Sequence, residues 1–135
     1  MRVVVVGLGL IGGSFALALK DKNIASSVVG VEANANHAQL AVKLGLVDSV
    51  LPLNEAVEGA DLIALAVPVD AIPQLAIKIL NRVTANQVVI DMGSTKGEQS
   101  KITACNIKYD SVVVNDTELT IVNKDAKSAL KSNGI

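Results

Sequence analysis

The chain has 135 residues, of which 50% are hydrophobic, and this size and apolar content suit a single compact domain. The formal net charge of −1 gives no basic field for nucleic acid or lipid, and no apolar run approaches the ~20 residues of a membrane helix, so we expect small-molecule or protein partners. One cysteine, Cys105, excludes an internal disulfide, and the one histidine, His37, is too distant in sequence to predict a shared metal site, so we expect a cytoplasmic protein without a metal.

Strand-like and helix-like patterns alternate along the first two thirds of the chain. Apolar runs of strand length cover residues 3–6, 28–31, 62–67 and 88–90. Helices are predicted over residues 10–20, 35–44 and 69–80; Gly45 ends the second, and the third is capped by Asp70 with Pro73 in its first turn. A short strand near Val50 and a helical turn within 54–59 fill the shorter connection. The alternation, with a core almost free of aromatic residues, predicts an α/β fold around a parallel sheet.

Three glycines directly follow the first strand and directly precede the first helix. In the pattern G-x-G-x-x-G, the first glycine permits a tight turn, the second lets the backbone approach a pyrophosphate, and the third lets helix and strand pack closely. Free N–H groups at the helix N-terminus also favour a phosphate. The pattern predicts a Rossmann-type, doubly wound parallel sheet that binds a dinucleotide, whereas the alternative is that the glycines serve packing alone. The predicted cofactor-binding residues of this loop are Gly7, Leu8, Gly9, Leu10, Ile11 and Gly12.

Glu32 ends the second predicted strand, twenty positions beyond Gly12. A carboxylate at this point can accept hydrogen bonds from the ribose hydroxyls of adenosine, and it would repel a 2′-phosphate. Residues 33–42 contain no lysine or arginine that could pair with such a phosphate. The sequence therefore favours NAD over NADP, and the alternative is that Glu32 is an ordinary solvated residue.

Two later loops are predicted at the same edge of the sheet, because the carboxyl ends of parallel strands meet there. In AVPVD, Val67 and Pro68 are predicted to border the cofactor, although Pro68 could simply end a strand. In DMGSTKGE, Gly93 is assigned to the cofactor. Ser94 and Lys96 of that segment would present a hydroxyl and a cation to a carboxylate-bearing substrate or to the nicotinamide ribose, unless Lys96 is merely solvated.

The character of the sequence changes after about residue 104. Residues 1–104 are predicted to form the dinucleotide-binding domain, and residues 105–135 an atypical C-terminal tail. The tail contains two short strand-like runs, 112–114 and 119–122, and a weak helix that ends at Gly134. These strands could extend the edge of the sheet, or the tail could be poorly ordered.

Taken together, GLGLIGGSFALALK, the AVPV loop and DMGSTKGE resemble the NAD-binding domain of prephenate dehydrogenases and of the related arogenate dehydrogenases, over roughly residues 1–101. The resemblance implies oxidative decarboxylation of prephenate to 4-hydroxyphenylpyruvate, a step of tyrosine synthesis, with hydride transfer to the nicotinamide. It implies prephenate or arogenate as substrate, and it gives Ser94 a role in orienting the reacting groups.

The chain departs from that family where the catalytic base is expected. Family members carry a catalytic histidine in a His-Pro motif after the GS-x-K segment, followed by a helical domain with dimer contacts and a substrate-binding arginine. The corresponding region here is YDSVVVNDTE, and the only histidine is His37, on the second helix. We therefore expect NAD binding with little or no turnover by this chain alone, as in a truncated or degenerate member or half of a split enzyme. The chain could form a homodimer, or a partner chain could supply the substrate domain.

Two other functions are compatible with the glycine loop. One is another Rossmann reductase, of 6-phosphogluconate dehydrogenase-like or pyrroline-carboxylate-reductase-like type, and the GSTK segment argues against it. The other is a non-catalytic module that senses NAD or docks to a partner, and the missing histidine argues for it. An enzyme must consume substrate, whereas a sensor need only bind, so a turnover assay separates these functions.

Overall fold

A parallel β-sheet forms the centre of the computed structural model, which describes residues 1–84, 86–92, 110–114 and 117–121. Within these residues the strands are β1 (Arg2–Val6), β2 (Ser27–Val31), β3 (Ser49–Val50), β4 (Leu62–Leu65), β5 (Val88–Asp91), β6 (Asp110–Val114) and β7 (Thr117–Ile121). The helices are α1 (Leu10–Asp21), α2 (Ala35–Lys43), α3 (Leu53–Val57) and α4 (Ile72–Leu80), and a 3₁₀ turn (Val69–Ala71) precedes α4.

The strand order is β3-β2-β1-β4-β5-β7-β6. The strands from β3 to β5 are parallel, whereas β7 pairs antiparallel with β5 and with β6. After β1 the chain builds outward on one side through β2 and β3, and then returns to place β4 on the other side of β1. This change of direction opens a crevice at the carboxyl ends of β1 and β4, where ligands of such sheets bind. The predicted α/β, Rossmann-type parallel sheet is confirmed.

Helices cover both faces of the sheet, and alternate residues of β1 point into two aliphatic cores. Val3 and Val5 pack with buried residues of α1 and α2 on one face. Val4 and Val6 pack with buried residues of α3 and α4 on the other face. A strand buried on both faces has no polar positions, which explains the uninterrupted valine run of β1.

The structure differs from the sequence prediction around α4. Strand β4 ends at Leu65 rather than at residue 67. Asp70 is not the N-cap residue of α4, because it lies in the 3₁₀ turn and the N-cap position belongs to Ala71. Pro73 does lie in the first turn of the helix, as predicted. The predicted helix that ends at Gly134 lies outside the described residues.

The other helix boundaries follow local capping chemistry. The Asn34 side chain accepts hydrogen bonds from the amides of Asn36 (3.0 Å) and His37 (3.1 Å) and so caps α2. Gly45, with φ of +72°, ends that helix as predicted. Within the described residues, no helix combines the length and the apolar character needed to cross a membrane.

Candidate dinucleotide-binding site

Gly7 lies where the carboxyl ends of β1, β2 and β4 meet. Its φ of +95° is a left-handed conformation that favours glycine, and a Cβ here would lie 2.5 Å from the carbonyl oxygen of Ala66, just after β4. The Gly7 amide donates to the carbonyl of Val31, the last residue of β2, at 2.8 Å. The chain can therefore turn from β1 into the loop only if residue 7 lacks a side chain.

The other two motif glycines differ in what surrounds them. A Cβ on Gly12 would overlap the carbonyl oxygen of Gly7, so the start of α1 packs directly on the turn. A Cβ on Gly9 would meet nothing within 4 Å. The absence of a side chain at Gly9 thus keeps open space at the N-terminus of α1, which is where a pyrophosphate would need to approach the backbone.

The N-terminus of α1 offers unshared amide groups to this space. Gly9 is its N-cap residue and supplies no side-chain cap. Leu10 and Ile11, in the first turn, are 87% and 60% exposed, so neither side chain is part of the core. The first-turn amides and the positive end of the helix dipole can together bind an anion.

Glu32 lies at the glycine loop, with both carboxylate oxygens already oriented by the backbone. Its Oε1 accepts from the Leu8 amide at 3.1 Å, and its Oε2 accepts from the Asn34 amide at 3.2 Å. Its side chain is only 14% exposed. Since each carboxylate oxygen can accept more than one hydrogen bond, the group retains capacity for ribose hydroxyls. The alternative of a fully solvated glutamate is not what the structure shows.

Two neighbours of Glu32 were not predicted from the sequence. The Nδ1 atom of His37 lies 3.8 Å from Oε1, and Asn34 holds both the carboxylate and the start of α2. The usable signal was an asparagine cap two residues after the acid, which directs the first turn of α2 back toward it. The side chain of His37 is 58% exposed, and the residue lies on α2, the second helix, as predicted.

The remaining predicted residues divide into those that meet the loop and those outside the described part. A Cγ atom of Val67 would lie 3.0 Å from a Cβ on Gly7, so Val67 borders the loop, and Pro68 beside it is exposed. Gly93, Ser94 and Lys96 lie outside the described residues. Among the residues that are described, no group of three histidine, cysteine or acidic side chains could hold a metal ion.

The described residues suit a dinucleotide. The open side of Gly9 and the amides of α1 fit a pyrophosphate, and the carboxylate of Glu32 fits a ribose. Glu32 comes twenty positions after Gly12, which is the separation in sequence between the glycines and the acid in the dinucleotide fingerprint. The protein would thus supply binding and orientation at this edge.

Comparison with known proteins places this chain in a family. The family described as prephenate dehydrogenase, nucleotide-binding domain, matches residues 15–115. The chain belongs to this family. The match begins after the glycine loop, so the geometry of that loop and the prephenate dehydrogenase match are separate observations. The resemblance noted in the sequence is confirmed.

Individual prephenate dehydrogenases are similar over most of this chain. The prephenate dehydrogenase of Lactococcus lactis subsp. cremoris is 34% identical over 98 residues, which cover 72% of this chain and 27% of that protein. This chain therefore spans about a quarter of the length of the Lactococcus enzyme.

Solved structures show the same fold. The prephenate dehydrogenase of A. aeolicus in complex with hydroxyphenyl propionate and NAD⁺ superposes with a TM-score of 0.74 at 23% identity, over 98% of this chain and 54% of that chain. Synechocystis arogenate dehydrogenase gives a TM-score of 0.71 at 21% identity, over 100% of this chain and 58% of that one.

Proposed function

We propose that the chain binds NAD⁺ at the edge formed by the glycine loop and Glu32. The observation that carries this proposal is the Glu32 carboxylate, 3.1 Å from the Leu8 amide and directly beside the open backbone of Gly9. The family is named for nucleotide binding, and a structural neighbour of the same fold holds NAD⁺. Gly7 and Gly12 would maintain the turn, while the α1 amides would bind the pyrophosphate.

The same carboxylate supports a preference for NAD⁺ over NADP⁺. A 2′-phosphate would bring its negative charge against Glu32, a part-buried acid that two backbone amides hold in place. Because those amides fix the side chain, it cannot readily rotate away from the phosphate. Residues 33–42 offer no lysine or arginine in compensation.

For the reaction, we propose that the chain is the cofactor-binding part of a dehydrogenase acting on prephenate or arogenate. Bound NAD⁺ would supply a hydride acceptor. The residues of this chain would bind and orient it, with Val67 and Pro68 beside the loop. Gly93 would contact the cofactor, and Ser94 and Lys96 would present a hydroxyl and a cation to a carboxylate-bearing substrate or to the nicotinamide ribose. The family resemblance implies in addition that Ser94 would orient the reacting groups.

The position of His37 supports low turnover by this chain alone. It contacts Glu32, at the end of the site that would bind adenosine, and so it cannot serve as base for a substrate at the nicotinamide end. Loss of a positioned general base typically lowers a rate about 10²- to 10⁴-fold. A partner chain would supply that base in the assembled enzyme, which we place in the cytoplasm.

The same observation favours a second candidate function, a non-catalytic NAD-binding or sensor module. Such a module needs the loop and Glu32 but no base near the nicotinamide. It would bind NAD⁺ without consuming any substrate.

Calorimetric titration of the purified chain with NAD⁺ and with NADP⁺ tests the proposal. We expect NAD⁺ to bind more tightly than NADP⁺. Glu32→Gln should weaken NAD⁺ binding and should reduce the ratio of the affinity for NAD⁺ to the affinity for NADP⁺. The charge-matched control is Glu55→Gln, since Glu55 is exposed on α3, on the opposite face of the sheet. Lack of binding by either nucleotide would contradict the proposal.

An assay for NADH then distinguishes the two candidate functions. Prephenate and arogenate are each added to the NAD⁺-loaded chain, and absorbance reports any NADH. Little or no NADH is expected from the chain alone, and rapid turnover would contradict the argument from His37. Turnover restored by a partner chain would identify the dehydrogenase, whereas its absence with every partner tested would favour the sensor.

A further inference from the structure

Gly30 occupies an unusual place for a glycine, in the buried middle of strand β2. Glycine weakens a strand interior, so its presence there calls for a close approach by another group. A Cβ at Gly30 would lie 2.6 Å from Cδ1 of Leu8 and 3.3 Å from both Cδ2 and Cγ. The branched end of the Leu8 side chain therefore occupies the space that a side chain at position 30 would need.

Leu8 is held at both its side chain and its backbone. Its side chain is 7% exposed and belongs to the core on the α1 face of the sheet. Its amide donates to Glu32 Oε1 at 3.1 Å. Gly30 lies in β2, and Glu32 follows directly after the last residue of that strand, two positions further along the chain. The side chain of Leu8 thus lies over Gly30 while its amide lies against Glu32.

We propose that Gly30 is a positioning residue for the cofactor site. By leaving room for Leu8, it sets the height of the glycine loop above β2. That height places the Leu8 amide against Glu32 and keeps the neighbouring Gly9 open to the pyrophosphate. The inference rests on the proposed NAD⁺ binding and adds a determinant that lies outside the glycine motif.

Gly30→Ala tests this role, because its methyl group must displace the Leu8 side chain. We expect the Kd for NAD⁺ to rise about tenfold. A rise of this size corresponds to the loss of one well-placed hydrogen bond between the displaced loop and the cofactor. The matched control is Val29→Ala on the same strand, whose side chain packs in the core on the other face. This control should lower the melting temperature and leave the Kd for NAD⁺ unchanged.

A double substitution separates positioning from a general loss of stability. Leu8→Ala removes the atoms that a methyl group at position 30 would meet. In the Leu8→Ala background, Gly30→Ala should therefore change the Kd for NAD⁺ by less than about twofold. If Gly30→Ala alone fails to fold, the double variant should fold. An equal rise in Kd in both backgrounds, or no rescue of folding, would overturn the proposal.

A measurement without NAD⁺ keeps this inference distinct from the proposed function. Hydrogen exchange of the Leu8 amide, followed by NMR in the ligand-free chain, should be slow in the wild type and in Val29→Ala. It should be faster in Gly30→Ala. Slow exchange in Gly30→Ala would overturn the positioning role, whatever the wild type binds. Fast exchange of the Leu8 amide in Gly30→Ala, together with a wild type that binds no NAD⁺, would support the contact between Leu8 and position 30. It would overturn the role of Gly30 in a cofactor site.

Discussion

The glycines of the loop have different physical roles, although the motif gives them the same letter. Gly7 has a left-handed φ and a carbonyl oxygen within 2.5 Å of its missing Cβ. Gly9 has a φ of −72°, which any residue can adopt, and open space where a side chain would be. The first glycine is thus required by the fold, whereas the described fold leaves room for a side chain at the second, whose requirement would come from the proposed NAD⁺ binding.

This difference predicts opposite consequences for two alanine substitutions. Gly7→Ala should lower the free energy of unfolding by roughly 2 kcal/mol or more, because it adds backbone strain and a contact with Ala66. Gly9→Ala should leave that free energy unchanged or raise it by up to about 1 kcal/mol, since alanine restricts the unfolded chain.

Gly9→Ala, which should not reduce the stability of the fold, should reduce the affinity for NAD⁺. Gly9→Ala should raise the Kd at least about tenfold in calorimetry, because its methyl group would stand where the pyrophosphate approaches. Urea unfolding of the same samples gives the stabilities. A Gly9→Ala variant that binds NAD⁺ like the wild type would show that the open space is not the phosphate site.

Residue-level prediction from the sequence succeeded where the information is local. The spacing of the glycines and the acid at the end of β2 are fixed by neighbours within one βαβ unit, and Gly7 and Glu32 lie where expected. The contact between Leu8 and Gly30 was not predicted, because it depends on how the loop folds over a neighbouring strand. A sequence shows that position 30 is a glycine, but not which side chain fills its place.

At the scale of elements, apolar runs located the strands of the parallel sheet to within one or two residues. The predicted end of β4 was wrong because the apolar run continues through Val67. The strands that pair with β4, β1 and β5, end at Val6 and Asp91. A strand ends where its partners end, and that boundary is not contained in its own sequence. Asp70 likewise looked like a cap, because nothing local reveals the 3₁₀ turn.

The side chain of Gln87 connects the turn before β5 to the turn before β4, so we expect its substitution to lower the free energy of unfolding substantially. Its buried Nε2 donates to the carbonyls of Val57 and Ala60, each at 2.8 Å, and its Oε1 accepts from the Thr84 amide at 3.0 Å. Gln87→Leu would remove these partners from backbone groups in a buried place. We expect a loss of about 2–3 kcal/mol in the free energy of unfolding, measured with urea.

The control for this substitution is Gln74→Leu, because Gln74 is exposed on α4. It should change the free energy of unfolding by less than about 0.5 kcal/mol. Equal small effects at the two positions would contradict the role of Gln87 as a link between the turn before β4 and the turn before β5.

Asp48 links α1 to β2 and predicts a pH-dependent contribution to stability. Its hydrogen bond with Lys20 (2.8 Å), followed by that from the Val28 amide (2.8 Å), lowers the pKa of this carboxyl below its ordinary value of 3.8. A lowered pKa stabilises the folded state above the unfolded value, and this stabilisation is lost as the pH falls through the folded value. The contribution should therefore be full at neutral pH, should begin to fall near the ordinary pKa of 3.8, and should be lost as the pH falls through the lowered pKa of the folded state.

Asp48→Asn tests this contribution. Since the side chains of Lys20 and Asp48 are 31% and 47% exposed, solvent screens the pair, and we expect a loss of at most about 1 kcal/mol at pH 7. The difference between wild type and variant in the free energy of unfolding, measured with urea, should shrink toward zero between pH 7 and a pH below the lowered pKa of Asp48 in the folded state. A difference that stayed constant over this range would contradict an ionic origin.

At the scale of the whole molecule, the order of the strands creates the site. The loop after β1, the acid after β2 and the residues after β4 are distant in sequence, and they meet because β2 and β4 both pair with β1. The alternation of elements in the sequence predicted a doubly wound sheet, and with it this edge. It left open whether the tail adds strands, and β7 and β6 extend the sheet beyond β5. Pairing partners are a property of the assembled sheet, so no local pattern could choose them.

A site built from β1, α1, β2 and β4 should couple NAD⁺ binding to unfolding of the whole sheet. Binding to the folded state alone stabilises it by about 2.7 kcal/mol when the ligand concentration is 100 times the Kd. For a chain of this length, that corresponds to a rise of about 10 °C in the melting temperature. Calorimetric scans with NAD⁺ should show this rise, and scans with NADP⁺ at the same concentration should show a smaller one.

The Glu32→Gln variant provides the control for these scans, because it should reduce the rise with NAD⁺ more than the rise with NADP⁺. NAD⁺ that binds in titration without raising the melting temperature would mean that unfolding begins in a part of the chain outside the site. That result would contradict a single cooperative sheet in which the loop after β1, the acid after β2 and the end of β4 are lost together.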